Sequence, residues 1–120
     1  MPASDILVVD DDRGIRETLG DVLRDEGYRV ELASDGSEAL ARLRLGDVPS
    51  LILLDLSMPG MSGLEFRRAQ LDDAALAGIP VVVLSADPKN PLPEVAGWLR
   101  KPVDLHELLA TVERLRLTPA

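Results

Sequence analysis

Three short blocks of this chain are apolar throughout: ILVV at 6–9, LILL at 51–54 and VVVL at 81–84. Uninterrupted runs of β-branched residues and leucine suit parallel strands covered on both faces. A fourth segment, YRVELAS at 28–34, sets Tyr28, Val30 and Leu32 against Arg29 and Glu31. That alternation reads as a strand nearer an edge. WLR at 98–100 reads as a short final strand. Between these blocks the spacing turns helical. Ile15, Thr18, Leu19, Val22 and Leu23 recur at three- and four-residue intervals until Gly27 stops the run. Residues 36–45 carry Ala39, Leu40 and Leu43 on one face. Leu105, Leu108, Leu109, Val112 and Leu115 form a stripe that Asp104 is placed to cap. A helix after Ser62 has a mixed face, with Leu64 and Leu71 beside Arg67 and Arg68. The βα unit thus repeats about five times, which predicts an α/β fold: an open sheet with right-handed crossovers and helices on both faces.

One connection breaks the pattern. Residues 86–97 must return the chain from the end of one strand to the start of the next, and prolines stand at 88, 91 and 93. A five-residue strand is about 16 Å long, and a helix spanning it takes about eleven residues, leaving almost nothing for the loops. The fourth helix is therefore predicted to be shortened to a turn over 92–96, with Pro93 in its first turn where proline is tolerated.

Composition narrows the function classes. One domain of 120 residues can bury a core unaided, and the absence of cysteine removes disulfides and thiolate metal sites. The net charge of −8 argues against holding nucleic acid by itself and favours a cation or a basic protein partner. No apolar run approaches a bilayer span, and MPASD lacks the character of a secretory signal. The expectation is a cytoplasmic protein with no membrane role.

The polar residues then become informative by position. Asp10 and Asp11 follow the first apolar block, Asp55 the second, Ser85 the third, and Lys101 the presumed last strand. In an open parallel sheet, ligands bind beyond the carboxyl ends of the strands, so these side chains should converge. Three carboxylates against one lysine leave two negative charges crowded together, which a divalent cation would balance. An all-oxygen donor set without His or Cys suits Mg²⁺ or Mn²⁺. Such a site can accept a phosphoryl group, with the metal and Lys101 stabilising its oxygens and a carboxylate as nucleophile. Asp55, on a central strand, is best placed for that role.

ILVVDDDRGIRETL, LILLDLSMPGMSGLEF, VVVLSAD and WLRKPVDLHELL resemble the signature segments of response-regulator receiver domains of two-component signalling, the CheY-like proteins. The resemblance runs over about residues 5–116, the core of a receiver domain read across 1–120. It implies a flavodoxin-like five-stranded parallel sheet in the order 2-1-3-4-5. It implies Asp55 as phosphoacceptor, with Asp11 binding Mg²⁺ directly, Asp10 mostly through water, and the Ser57 carbonyl as a third protein ligand. Lys101 and Ser85 would meet phosphoryl oxygens, the bond to Pro102 would be cis, and Trp98 would stand where the family has its switch aromatic. Gly63 matches the glycine in the loop after the acceptor strand. The implied donor is a sensor histidine kinase or a histidine phosphotransfer protein, and the implied readout is a downstream output protein or a fused output domain. On this reading the chain is no enzyme in the ordinary sense, but promotes its own phosphorylation and dephosphorylation.

Asp12 reads as a helix cap, and His106, outside the apolar stripe, as a solvated surface histidine. The main rival is a haloacid-dehalogenase-type phosphatase, which uses an Asp nucleophile, Mg²⁺ and a D-x-D pair that Asp10 and Asp12 could supply. Gly14 and the missing acidic motif after Lys101 count against it. A non-phosphorylated pseudo-receiver, acting only as a binding module, is disfavoured because every acid, hydroxyl and lysine of the site is present.

Overall fold

The computed structural model describes residues 5–46, 48–56, 58, 60–86 and 95–116. Along the chain it runs β1 (Ile6–Val9), α1 (Arg13–Asp25), β2 (Val30–Ala33), α2 (Gly36–Arg44), β3 (Leu51–Asp55), α3 (Gly63–Asp72), β4 (Val81–Ser85), β5 (Gly97–Arg100) and α4 (Leu105–Arg116). The strands form one parallel sheet in the order β2-β1-β3-β4-β5. The three apolar blocks are the three interior strands, and the alternating segment is an edge strand. Of the shortened helix expected over 92–96, residues 92–94 lie outside the described residues, as does Ser57, while Val95 and Ala96 are described and are not helical, the Ala96 amide donating to the Val81 carbonyl at 2.8 Å.

Side-chain parity divides the core in two. Leu7, Val9, Ile52, Leu54, Val81 and Val83 point into a layer closed by Ala39, Leu40 and Leu43 of α2 and Phe66 of α3. Ile6, Val8, Leu53, Val82, Leu84 and Leu99 point the other way, against Leu19 and Leu23 of α1 and Leu108 and Val112 of α4. Both faces of the central strands are dry, which is why those strands carry no polar residue until their last position.

Each helix starts where a short polar side chain can take up a free backbone amide. Asp12 accepts from the Ile15 amide at 3.0 Å and Asp35 from the Glu38 amide at 2.8 Å. Ser62 and Glu65 form a reciprocal capping box, and Asp104 accepts from the Glu107 amide at 3.0 Å. At the other end of α1, Gly27 takes φ 94°, and the Gly27 and Tyr28 amides donate to the Arg24 and Leu23 carbonyls. This left-handed stop is open to glycine at little cost.

The mixed face of α3 has a physical explanation. Arg67, one of the two arginines of that mixed face, is only 4% exposed, and Gln70 is fully buried. Arg67 Nη1 donates to Gln70 Oε1 at 2.8 Å, and Gln70 Nε2 donates to the carbonyls of Leu76 and Ile79, each at 3.0 Å. Gln70, held in place by Arg67, satisfies the backbone of the turn leading into β4, where an apolar side chain would strand two carbonyls.

Candidate functional site

The register brings the polar strand ends together. Val9 and Leu54 are partners, so Asp10 and Asp55, one step beyond each, leave neighbouring strands side by side. Asp55 pairs with Leu84, and Ser85 is the next residue on β4. Ser85 in turn pairs with Arg100, and the Lys101 amide donates to the Ser85 carbonyl at 3.0 Å, extending the ladder by one rung. The Lys101–Pro102 peptide is cis.

Carboxylate oxygens of Asp10, Asp11 and Asp55 lie within 4.8 Å of one another. Asp10 is 0% exposed and Asp55 3%, whereas Asp11 faces solvent. Water therefore does little to separate the two buried charges. The Lys101 ammonium reaches Asp10 Oδ2 at 3.2 Å and Asp55 Oδ1 at 3.3 Å, bridging them. Partial burial works against charge on Lys101, but the attraction of Asp10 and then Asp55 outweighs it and raises its pKa above the ordinary lysine value. The lysine is therefore cationic wherever the acids are anionic. It carries one charge against three.

Asp10 shows what the site can still take. Its Oδ1 accepts from the Asp12 amide at 2.9 Å. Its Oδ2 is buried and faces the Lys101 ammonium at 3.2 Å, with no backbone amide donating to it. A buried carboxylate oxygen with unused lone pairs, beside two further carboxylates, fits a hard divalent cation that prefers oxygen. Asp10, Asp11 and Asp55 are the described side chains that could hold it.

The remaining candidates fall around this centre. Ser85 is buried, while Ala86 beside it is exposed and leaves the approach open. Trp98 is half-buried against the α2/α3 layer, opposite Val83, which lies two residues before Ser85 on the same face of β4. Asp12, the second acid that a D-x-D phosphatase would need, is exposed and occupied as the cap of α1. His106 is exposed. An apolar depression of about 220 Å³ opens next to Lys101, between Ile15 and Thr18 of α1 and the turn at Pro102 and Val103.

Two supporting residues carry roles that the sequence reading did not assign. Gly63 is the first residue of α3, not part of the loop, and an added Cβ would stand 2.9 Å from Leu56 Cα and 3.0 Å from the Asp55 carbonyl oxygen. Its bareness lets α3 start directly over the end of β3. Arg16 Nη1 donates to the Asp10 carbonyl at 2.8 Å. A signal for Arg16 was present: it precedes buried Leu19, Gly20 and Leu23 by three, four and seven residues, so it continues the inner stripe of α1.

Comparison with known proteins gives the same answer from a separate direction. The model of the response regulator receiver domain matches residues 6–113. The response regulator MprA of Mycolicibacterium vanbaalenii is 45% identical over 124 aligned positions, covering 95% of this chain and 52% of that protein. MprA of Mycobacterium tuberculosis is 44% identical over 118, covering 92% and 49%. The chain thus spans about half the length of these curated relatives. Among solved structures, Vibrio cholerae chemotaxis protein CheY4 superposes with a TM-score of 0.83 at 33% identity, over 93% of this chain and 98% of that one. A CheY-like receiver domain protein from Methanospirillum hungatei gives 0.81 at 30%, over 92% and 93%. With the strand order, the acidic cluster and the lysine at the end of β5 all in place, the chain belongs to the response regulator receiver domain family, the phosphoacceptor modules of two-component signalling.

Proposed function

We propose that Asp55 accepts a phosphoryl group from a phosphohistidine on a sensor histidine kinase or a histidine phosphotransfer protein. The observation that carries this reading is the convergence of three carboxylates and one lysine from three strand ends around Asp55. An Asp55 carboxylate oxygen attacks phosphorus; the phosphorus–nitrogen bond breaks, and the imidazole nitrogen keeps its electron pair. Asp10, Asp11 and Asp55, with the Ser57 carbonyl that the family pattern adds, would hold Mg²⁺ or Mn²⁺. The cation supplies charge neutralisation at the phosphoryl oxygens. Lys101 gives up its contact with Asp55 and pairs with one phosphoryl oxygen, and the Ser85 hydroxyl donates to another. Autodephosphorylation is attack of water on the same acyl phosphate.

The apolar depression beside Lys101 supports an approach of the donor over α1 and the Pro102 turn, since it offers dry contact next to the reacting group. Trp98 is the proposed aromatic that follows Ser85, changing a surface that a downstream output protein or a fused output domain reads by a shift between existing states. Among the described residues no helix is long and apolar enough to cross a membrane. A cytoplasmic location agrees with the class of donor proposed.

Incubation with a small-molecule phosphodonor and Mg²⁺ tests the reading. The chain should gain one acid-labile phosphoryl group, detected by intact mass, and Asp55→Asn should gain none. Multiple turnover that survives Asp55→Asn but needs Asp10 would point to the phosphatase. No phosphorylation at all would point to the pseudo-receiver. Trp98 is the only tryptophan, so unchanged fluorescence on phosphorylation would remove it from the switch.

A further inference from the structure

We infer that Arg16 is a positioning residue for the metal site, holding the Asp10–Asp11 turn in the posture that presents both carboxylates to one cation. This rests on the functional reading above. The turn from β1 to α1 is short, and its shape decides where Asp10 and Asp11 point. The Asp10 amide donates to the Ala33 carbonyl at 3.2 Å, fixing the last rung of β1. Asp10 Oδ1 accepts from the Asp12 amide and Asp12 Oδ1 from the Ile15 amide, so both acids are used to fold the turn. The Arg16 amide donates to the Asp12 carbonyl, opening the helix. The Asp10 carbonyl lies beyond reach of that helical ladder, and the Arg16 guanidinium satisfies it at 2.8 Å. Arg16 therefore ties the peptide that joins the two candidate ligands to the first turn of a packed helix.

Without that tie, the peptide after Asp10 can rotate, and Asp11, which is exposed and has no packing to hold it, loses its direction toward Asp55. Groups of this kind behind metal ligands typically change metal affinity by about 10–100-fold when removed. The positive charge of Arg16 works in the opposite sense, because a second cation behind the cluster disfavours a third. The two roles therefore predict opposite signs.

Mn²⁺ titration of the whole chain, followed by the electron paramagnetic resonance signal of the free ion, separates them. Arg16→Met should bind Mn²⁺ about tenfold more weakly than wild type. In phosphodonor assays the Mg²⁺ concentration for half-maximal rate should rise by the same factor, while the rate at saturating Mg²⁺ stays unchanged. Circular dichroism confirms that the variant is folded at the assay temperature; should Arg16→Met not fold, Arg16→Gln, which keeps a polar surface, is read by the same criteria. Unchanged Mn²⁺ affinity with only a lower melting temperature overturns the inference, as does tighter binding. If wild type itself fails to bind Mn²⁺, the functional reading falls and this inference with it; a wild type that binds, beside variants that bind as well or better, overturns the inference only.

Discussion

Replacing Gly63 with alanine sets two physical effects against each other at one atom. Alanine within a helix is favoured over glycine by about 0.5–1 kcal/mol. At Gly63, however, the new Cβ would lie 2.9 Å from Leu56 Cα, 3.0 Å from the Asp55 carbonyl oxygen and 3.1 Å from the Leu56 carbonyl oxygen. All three are backbone atoms, so no side-chain rotation relieves the contact. The start of α3 cannot retreat freely either, because the Gly63 amide donates to the Leu56 carbonyl at 3.1 Å. Overpacking of this kind costs about 1–3 kcal/mol, and the loss of that hydrogen bond adds about 1 kcal/mol. After the propensity gain, a net destabilisation of about 2 kcal/mol is expected. A domain of this size has an unfolding entropy of about 0.25 kcal/mol/K, so the melting temperature should fall by about 8 °C. Gly78→Ala is the control, since nothing lies within 4 Å of its Cβ position; it should melt at or slightly above wild type. Thermal unfolding by circular dichroism reads both. A Gly63→Ala variant that melts no lower than the control would refute the close approach of α3 to the end of β3.

Two further outcomes follow from side chains away from the site. The Ser34 hydroxyl, and then its amide, donate to Glu38 Oε2 at 2.7 and 3.1 Å and hold the Glu38 carboxyl below its ordinary pKa. A depressed carboxyl contributes stability above its unfolded pKa and loses it as pH falls through the folded one. Ser34→Ala should therefore lower the unfolding free energy from urea titration at neutral pH by less than about 1 kcal/mol, since Glu38 is 40% exposed. The gap to wild type should close in acid, and a gap that widens there would contradict the assignment. Gln70→Leu keeps the volume but strips the amide from the Leu76 and Ile79 carbonyls, which should cost on the order of 1–3 kcal/mol for each. Urea unfolding measures it; a change within about 0.5 kcal/mol of zero would mean that water serves those carbonyls instead.

The interior strands were legible because burial on both faces leaves only one kind of sequence: ILVV, LILL and VVVL could hardly be anything else once Asp10, Asp55 and Ser85 ended them. The caps at Asp12 and Asp104 were legible for the same local reason, as short polar side chains before an apolar stripe. Arg67 and Gln70 were not. Their burial is set by the carbonyls of a turn that follows them in sequence, and composition cannot announce which carbonyls will need a donor. Gly63 was readable as a glycine but not as a contact, because its neighbour is backbone and backbone carries no sequence signal. Arg16 lies on the inner stripe of α1, but its partner is a backbone carbonyl, which leaves no mark in the sequence to set this arginine apart from a solvated one.

The sheet order has a consequence for when the site exists. Its acids arrive early, at 10, 11 and 55, but the one lysine that bridges the two buried ones waits for β5, an edge strand near the end of the chain. A ribosome must pass residue 101 before the carboxylates have their cation, and β5 must dock on β4 before the ammonium can reach them. No fragment ending short of β5 contains the bridged site. The bridged site is thus assembled only after β5 has docked, and its presence reports that the strands that build it are in register.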